Sequence, residues 1–117
     1  MYQDLWTRRD ETVTSVRDLE GFDIEAVDGS IGKIDEATEE VSRSRVVVDT
    51  GPWIFGKKVC LPAGVIERID LDDRRVFVGL SKDQIKDSPE YDPDRDREDG
   101  DYFDRLGTYY GGVYGAR

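Results

Sequence analysis

The densest run of potential ligands in this chain is the acidic stretch from Asp92 to Asp104. An EF-hand loop starting at Asp92 requires glycine at its sixth position and a bidentate glutamate at its twelfth. Those positions hold Arg97 and Phe103. Moving the register so that Gly100 is sixth puts Arg95 first, and arginine cannot bind a cation. The stretch therefore reads as a solvated, mixed-charge linker. The carboxylate pairs Asp35-Glu36, Glu39-Glu40 and Asp72-Asp73 are the next candidates for acid–base work. Adjacent residues of a strand point to opposite faces, so Asp35 and Glu36 do not share a site. Asp72-Asp73 suits a turn, where aspartate bonds to its own backbone. Ser81 and Lys82 could form a dyad, but nothing is at hand to orient them, and Ser81 has a capping role available.

Histidine is absent, which removes the commonest general base and imidazole metal ligand. One cysteine, Cys60, excludes an intramolecular disulfide, and with no histidine a structural zinc site has too few ligands. Cys60 falls in Lys58-Val59-Cys60-Leu61-Pro62, a strand-like run that predicts a buried, inert thiol. No catalytic set, cofactor site or metal site can be assembled, so the sequence points away from an enzyme.

The formal net charge is −10. Such a surface repels nucleic-acid phosphates and anionic lipid and attracts basic proteins. No apolar run approaches the roughly 20 residues of a membrane span. The residues from Met1 to Glu11 lack the apolar stretch of a signal peptide, so a cytoplasmic location is expected.

Three zones would have to position any working residue: an N-terminal arm at 1–17, a β-rich domain at 18–90, and an acidic, then Tyr/Gly-rich tail at 91–117. In the middle zone Phe22-Asp23-Ile24-Glu25-Ala26 alternates as a half-buried strand does. Asp28-Gly29 marks a hairpin turn, and the return strand runs from Ile31 to Thr38. Gly32 marks a bulge or a close approach of backbones. Arg45-Val46-Val47-Val48-Asp49 is apolar on both faces, so it is central or covered. Further strands follow at Lys57–Leu61, Val65–Asp70 and Arg75–Leu80, the turn spacing of a sandwich or barrel. Ser81-Lys82-Asp83-Gln84 fits a capping box that opens one short helix, with Ile85 pointing inward and Pro89 stopping it.

The order of these motifs resembles the PRC-barrel family from about Arg17 to Tyr91. The matching residues are Leu19-Glu20-Gly21-Phe22, Asp28-Gly29-Ser30-Ile31-Gly32-Lys33-Ile34 and Val46-Val47-Val48. They continue with Leu61-Pro62, Ile66-Glu67-Arg68-Ile69-Asp70 and Val76-Phe77-Val78-Gly79-Leu80-Ser81-Lys82-Asp83-Gln84-Ile85 before Pro89. The resemblance implies an all-β fold: a small, highly bent barrel of about six strands with a short C-terminal helix and flexible termini. It also implies a habit of binding protein. The family includes the cytoplasmic part of a photosynthetic reaction-centre subunit and a domain of a ribosome maturation factor. The membrane helix of the first and the separate N-terminal domain of the second are not expected from this sequence.

Aromatic residues are the candidate interaction sites. Trp53 and Phe55 follow Gly51-Pro52 and project from one face, either plugging the barrel or anchoring a partner. Tyr109, Tyr110 and Tyr114 concentrate aromatics in a glycine-rich tail, either disordered or a docking peptide. Leu5 and Trp6 form too short an arm for a membrane anchor, and packing of Trp6 on the barrel or a second subunit is expected. The reading is a non-enzymatic protein-interaction module that self-associates. Its alternatives are a ribosome-associated adaptor for a basic protein, or a structural accessory of a membrane or redox complex.

Overall fold

A computed structural model describes residues 5–7, 14–40, 43–51, 53 and 57–114. Six strands form one sheet: β1 (Asp23–Ala26), β2 (Gly29–Thr38), β3 (Arg45–Asp49), β4 (Lys58–Pro62), β5 (Ile66–Asp70) and β6 (Arg75–Val78). Their order in space is β4-β3-β2-β1-β6-β5, all antiparallel except β1 against β6. The sheet is not closed by hydrogen bonds. Its two edge strands are nevertheless consecutive in the chain, joined by the 3-10 turn Ala63–Val65, so the sheet must bend back on itself. The all-β, barrel-like architecture is the one expected from the strand pattern.

The bend has local causes. Register slips between Ile24 and Glu25 opposite β2, between Ile34 and Glu36 opposite β3, and between Ile66 and Arg68 opposite β6. Each slip places an extra residue in one strand and sharpens its twist. Gly32 sits beside the first slip with φ +145°, and a Cβ there would overlap the Asp49 carbonyl oxygen of β3. The expected close approach is thus located.

Among the described residues, two small 3-10 turns and three helices accompany the sheet. Ser15 caps the turn Val16–Leu19, which buries Val16 and Leu19 in the core. Helix α1 (Lys82–Lys86) carries the expected capping box: Gln84 N donates to Ser81 Oγ (3.1 Å) and Ser81 N donates to Gln84 Oε1 (2.9 Å). Ile85 is fully buried, as its spacing demands.

The C-terminal reading requires correction. Neither a solvated linker nor a disordered tail is found between Asp92 and Tyr114. Helix α2 (Pro93–Asp96) starts at the cap Asp92 with proline at its first position, and helix α3 (Gly100–Val113) starts at the cap Asp99. Both acids accept backbone N–H bonds, from Asp94 and Asp101, each at 3.0 Å. Asp96 is buried, takes two hydrogen bonds from Arg95 at 2.9 and 3.0 Å, and accepts Asp92 N at 2.9 Å. The Arg95 bonds hold its carboxyl below the usual range despite burial. Asp92 and Asp99 of this run are therefore capping residues. Tyr102, Phe103, Leu106 and Tyr110 make one buried stripe along α3.

Helix α3 explains why β3 is apolar on both faces. Val47 lies opposite Cys60 and Arg45 opposite Pro62, so these residues share one face of the β3–β4 pair. The Arg45 guanidinium lies 4.3 Å from the centroid of the Phe103 ring. Val46, Val48, Val59 and Leu61 face the other way, into the barrel. The outer face is thus covered by α3 and the inner face packs the core.

Candidate docking surface

Among the described residues no group of three or more metal-ligating side chains converges, and no helix is long and apolar enough to cross a membrane. Cys60 is buried and its thiol is pushed up to about 12 by burial, which makes it a poor nucleophile.

The surface feature that stands apart lies at the β1–β2 hairpin end. Val27, at the hairpin tip, is 71% exposed. The tip is held rigid: Val27 N donates to Leu80 O (2.9 Å) and Lys82 N donates to Asp28 Oδ1 (2.8 Å). The Lys82 ammonium reaches over the Trp53 indole, 5.2 Å from its centroid. Lys82 thereby links the hairpin tip to the Trp53 loop. Trp53 itself is half-buried, with one part packed against the core. Its loop is shaped by local bonds, Thr50 Oγ1 to Lys57 O (2.8 Å), Gly51 N to Asp49 Oδ1 (2.9 Å) and Trp53 N to Thr50 O (3.1 Å). Asp28, Asp49 and Asp83, exposed residues of the same three segments, give this end an acidic rim.

The other aromatic candidates lie elsewhere. Phe55 falls outside the described residues. Tyr109 is half-buried and its hydroxyl donates to Gln84 O (2.6 Å), tying α3 to α1. Tyr114, half-buried, donates to Glu67 Oε2 (3.0 Å) on β5. Tyr110 is fully buried, with the Ser88 hydroxyl, which itself donates to Ile85 O (2.7 Å), as the polar side chain beside its own hydroxyl. The structure therefore removes Tyr110 from any exposed surface, and it bonds Tyr109 to α1 and Tyr114 to β5. Trp6 packs edge-on to Phe103, centroids 6.1 Å apart, and sits against Gly107, where a Cβ would come within 3.3 Å of its indole nitrogen. Val27 and Lys82 were missed as site residues. An apolar residue directly before an Asp-Gly turn was the available signal.

Tyr110 and its neighbours yield two expectations. Because the hydroxyl is fully buried and its polar neighbour Ser88 already donates to Ile85 O, Tyr110→Phe should change the stability read from urea unfolding by no more than about 1 kcal/mol. Burial raises Cys60, Tyr91, Tyr102, Tyr109 and Tyr110 above their ordinary values of 9.0 for cysteine and 10.0 for tyrosine. These groups are neutral when folded, whereas in the unfolded chain they ionise from about pH 9 upward. Stability should be complete below pH 9 and fall as pH rises beyond it, which urea unfolding at pH 7, 9 and 10.5 measures. A midpoint that does not move across that window contradicts the burial of these groups.

No family model matches the chain. An uncharacterised protein of Deinococcus radiodurans is 38% identical over 68 residues, which cover 56% of this chain and 24% of the relative. The chain thus spans about a quarter of that relative's length. A solved structure described as a 16S ribosomal RNA processing protein, RimM, from Pseudomonas aeruginosa is similar at TM-score 0.48 and 25% identity, covering 56% of this chain and 42% of that one.

Proposed function

We propose that this chain is a non-enzymatic docking module of the PRC-barrel type that takes up a basic protein surface at its Val27–Trp53 end. The observation that carries this reading is an apolar residue exposed at 71% on a rigid hairpin tip, linked through Lys82 to a half-buried tryptophan and rimmed by acidic residues. Apolar and aromatic anchors inside a polar rim are the usual anatomy of a protein interface. The net charge of −10 then selects the partner. A basic surface is steered toward such a molecule, whereas a second copy brings the same charge and is repelled. Self-association is accordingly the weaker reading. A basic ribosomal protein is one member of the favoured class, and a cytoplasmic location fits it.

The test is selection of a random peptide library on the purified full chain, with Val27→Lys as the comparison. Val27 is exposed, so the variant should keep its fold and shift stability by no more than about 0.5 kcal/mol. Enriched peptides should carry Lys or Arg around an apolar anchor and bind the variant at least about tenfold more weakly. Enrichment of acidic peptides, or equal binding to the variant, would sink the proposal. A dimer mass by light scattering at physiological salt would favour self-association instead.

A further inference from the structure

We infer that α3 is a displaceable cover, a strap that leaves the Val47–Cys60 face as a unit while the barrel stays folded. This device concerns the outer face of the β3–β4 pair and does not rest on docking at the Val27–Trp53 end.

The attachment of α3 differs in kind from that of the strands. The strands are joined by backbone ladders. Among the described residues, no backbone hydrogen bond joins α3 to a strand. Side chains hold it: Tyr102 Oη donates to Pro89 O (3.1 Å), Tyr109 Oη donates to Gln84 O (2.6 Å), Tyr114 Oη at its C-cap donates to Glu67 Oε2 of β5 (3.0 Å), the Arg45 guanidinium lies 4.3 Å from the Phe103 ring centroid, and Arg43 pairs with Asp104 (3.2 Å) on the surface. The exposed ion pair contributes little in water.

The helix is also weaker than its place requires. Gly111 and Gly112 lie on its exposed side, and a Cβ at either would meet nothing within 4 Å. Neither has a positive φ. Alanine would fit both positions and favour the helix, so neither packing nor backbone geometry calls for glycine. Gly107 differs, because Trp6 occupies the space beside it. Opening α3 exposes Tyr102, Phe103, Leu106 and Tyr110 but leaves the hydrogen bonds of the sheet intact, so it costs less than unfolding the whole domain.

Cys60, the only cysteine, lies on the covered face and reports the opening. The experiment is labelling of the Cys60 thiol with an aromatic disulfide reagent on the full chain at increasing urea, beside hydrogen exchange of the Ile24 and Ile34 amides in the sheet. Labelling should proceed through an opening that is more frequent, and less urea-dependent, than the opening that exposes those amides. Gly111→Ala combined with Gly112→Ala should slow labelling by roughly 20-fold, and both substitutions leave the fold intact. Equal frequency and urea dependence for Cys60 and the two amides would show that the cover leaves only when the barrel unfolds, and would overturn the inference. So would labelling that keeps its low urea dependence but does not slow in the double variant.

Discussion

Gly32→Val is expected to leave the chain without a stable fold. Gly32 combines two restrictions that no other glycine of the sheet combines so severely. Its φ of +145° is a conformation in which L side chains are strained, and its missing Cβ is replaced by the Asp49 carbonyl oxygen of the neighbouring strand. That oxygen belongs to the β2–β3 ladder and cannot swing away as a side chain could. Backbone strain of about 1–3 kcal/mol is thus joined by an overlap that must push two strands apart. The total is expected to exceed about 4 kcal/mol, most of the stability of a domain this small. Far-UV circular dichroism and amide dispersion in a nitrogen–proton correlation spectrum measure the outcome. A cooperative unfolding transition close to that of the parent chain would contradict the close approach of β2 and β3.

Tyr102→Ala is the second large effect. The ring is fully buried between Tyr91 (5.5 Å between centroids) and Phe103 (5.4 Å), and its hydroxyl donates to Pro89 O. Truncation removes the packing, leaves a cavity and orphans a carbonyl, at a cost of about 3–5 kcal/mol. Tyr102→Phe keeps the packing and loses only the hydrogen bond, about 0.5–1.5 kcal/mol. The alanine variant should therefore lose helical circular dichroism and gain Cys60 reactivity, while the phenylalanine variant stays near the parent. Equal urea midpoints for the alanine variant and the parent would mean that α3 does not pack on the sheet as described.

The middle of the chain was readable because its signals are local. The Asp28-Gly29 turn, the Ser81–Gln84 capping box, the Pro89 stop and the alternation of Phe22 to Ala26 each need only a few neighbouring residues to be understood. Even the covered face was announced by Val46-Val47-Val48, a run with no polar side. What covers it was not found, because two signals in the tail conflict. Tyr102, Phe103, Leu106, Tyr109, Tyr110 and Val113 recur with helical spacing, yet Gly107, Gly111 and Gly112 interrupt the same segment with the poorest helix former short of proline. Composition suggested a disordered tail, and tertiary packing on the Val47–Cys60 face decided otherwise. The acidic linker was misread for a related reason. Asp92-Pro93 and Asp99-Gly100 look like linker composition but are helix starts, which only the following apolar stripe reveals.

The candidate surface was half readable. Trp53 stood out as an aromatic after a Gly-Pro break, but its neighbours Val27 and Lys82 come from segments distant in sequence, and only the sheet order brings them to one end. The tyrosines of the tail drew attention by composition, and Tyr109 and Tyr110 spend their rings holding α3 in place.

The measurement that bears most directly on the docking proposal is a nitrogen–proton correlation titration of the full chain with a basic, apolar-anchored peptide from the library selection. The account predicts shifts confined to residues 27–29, 49–53 and 82–83, with affinity falling as salt is raised. Shifts centred on α3, or no shifts at all, would contradict it.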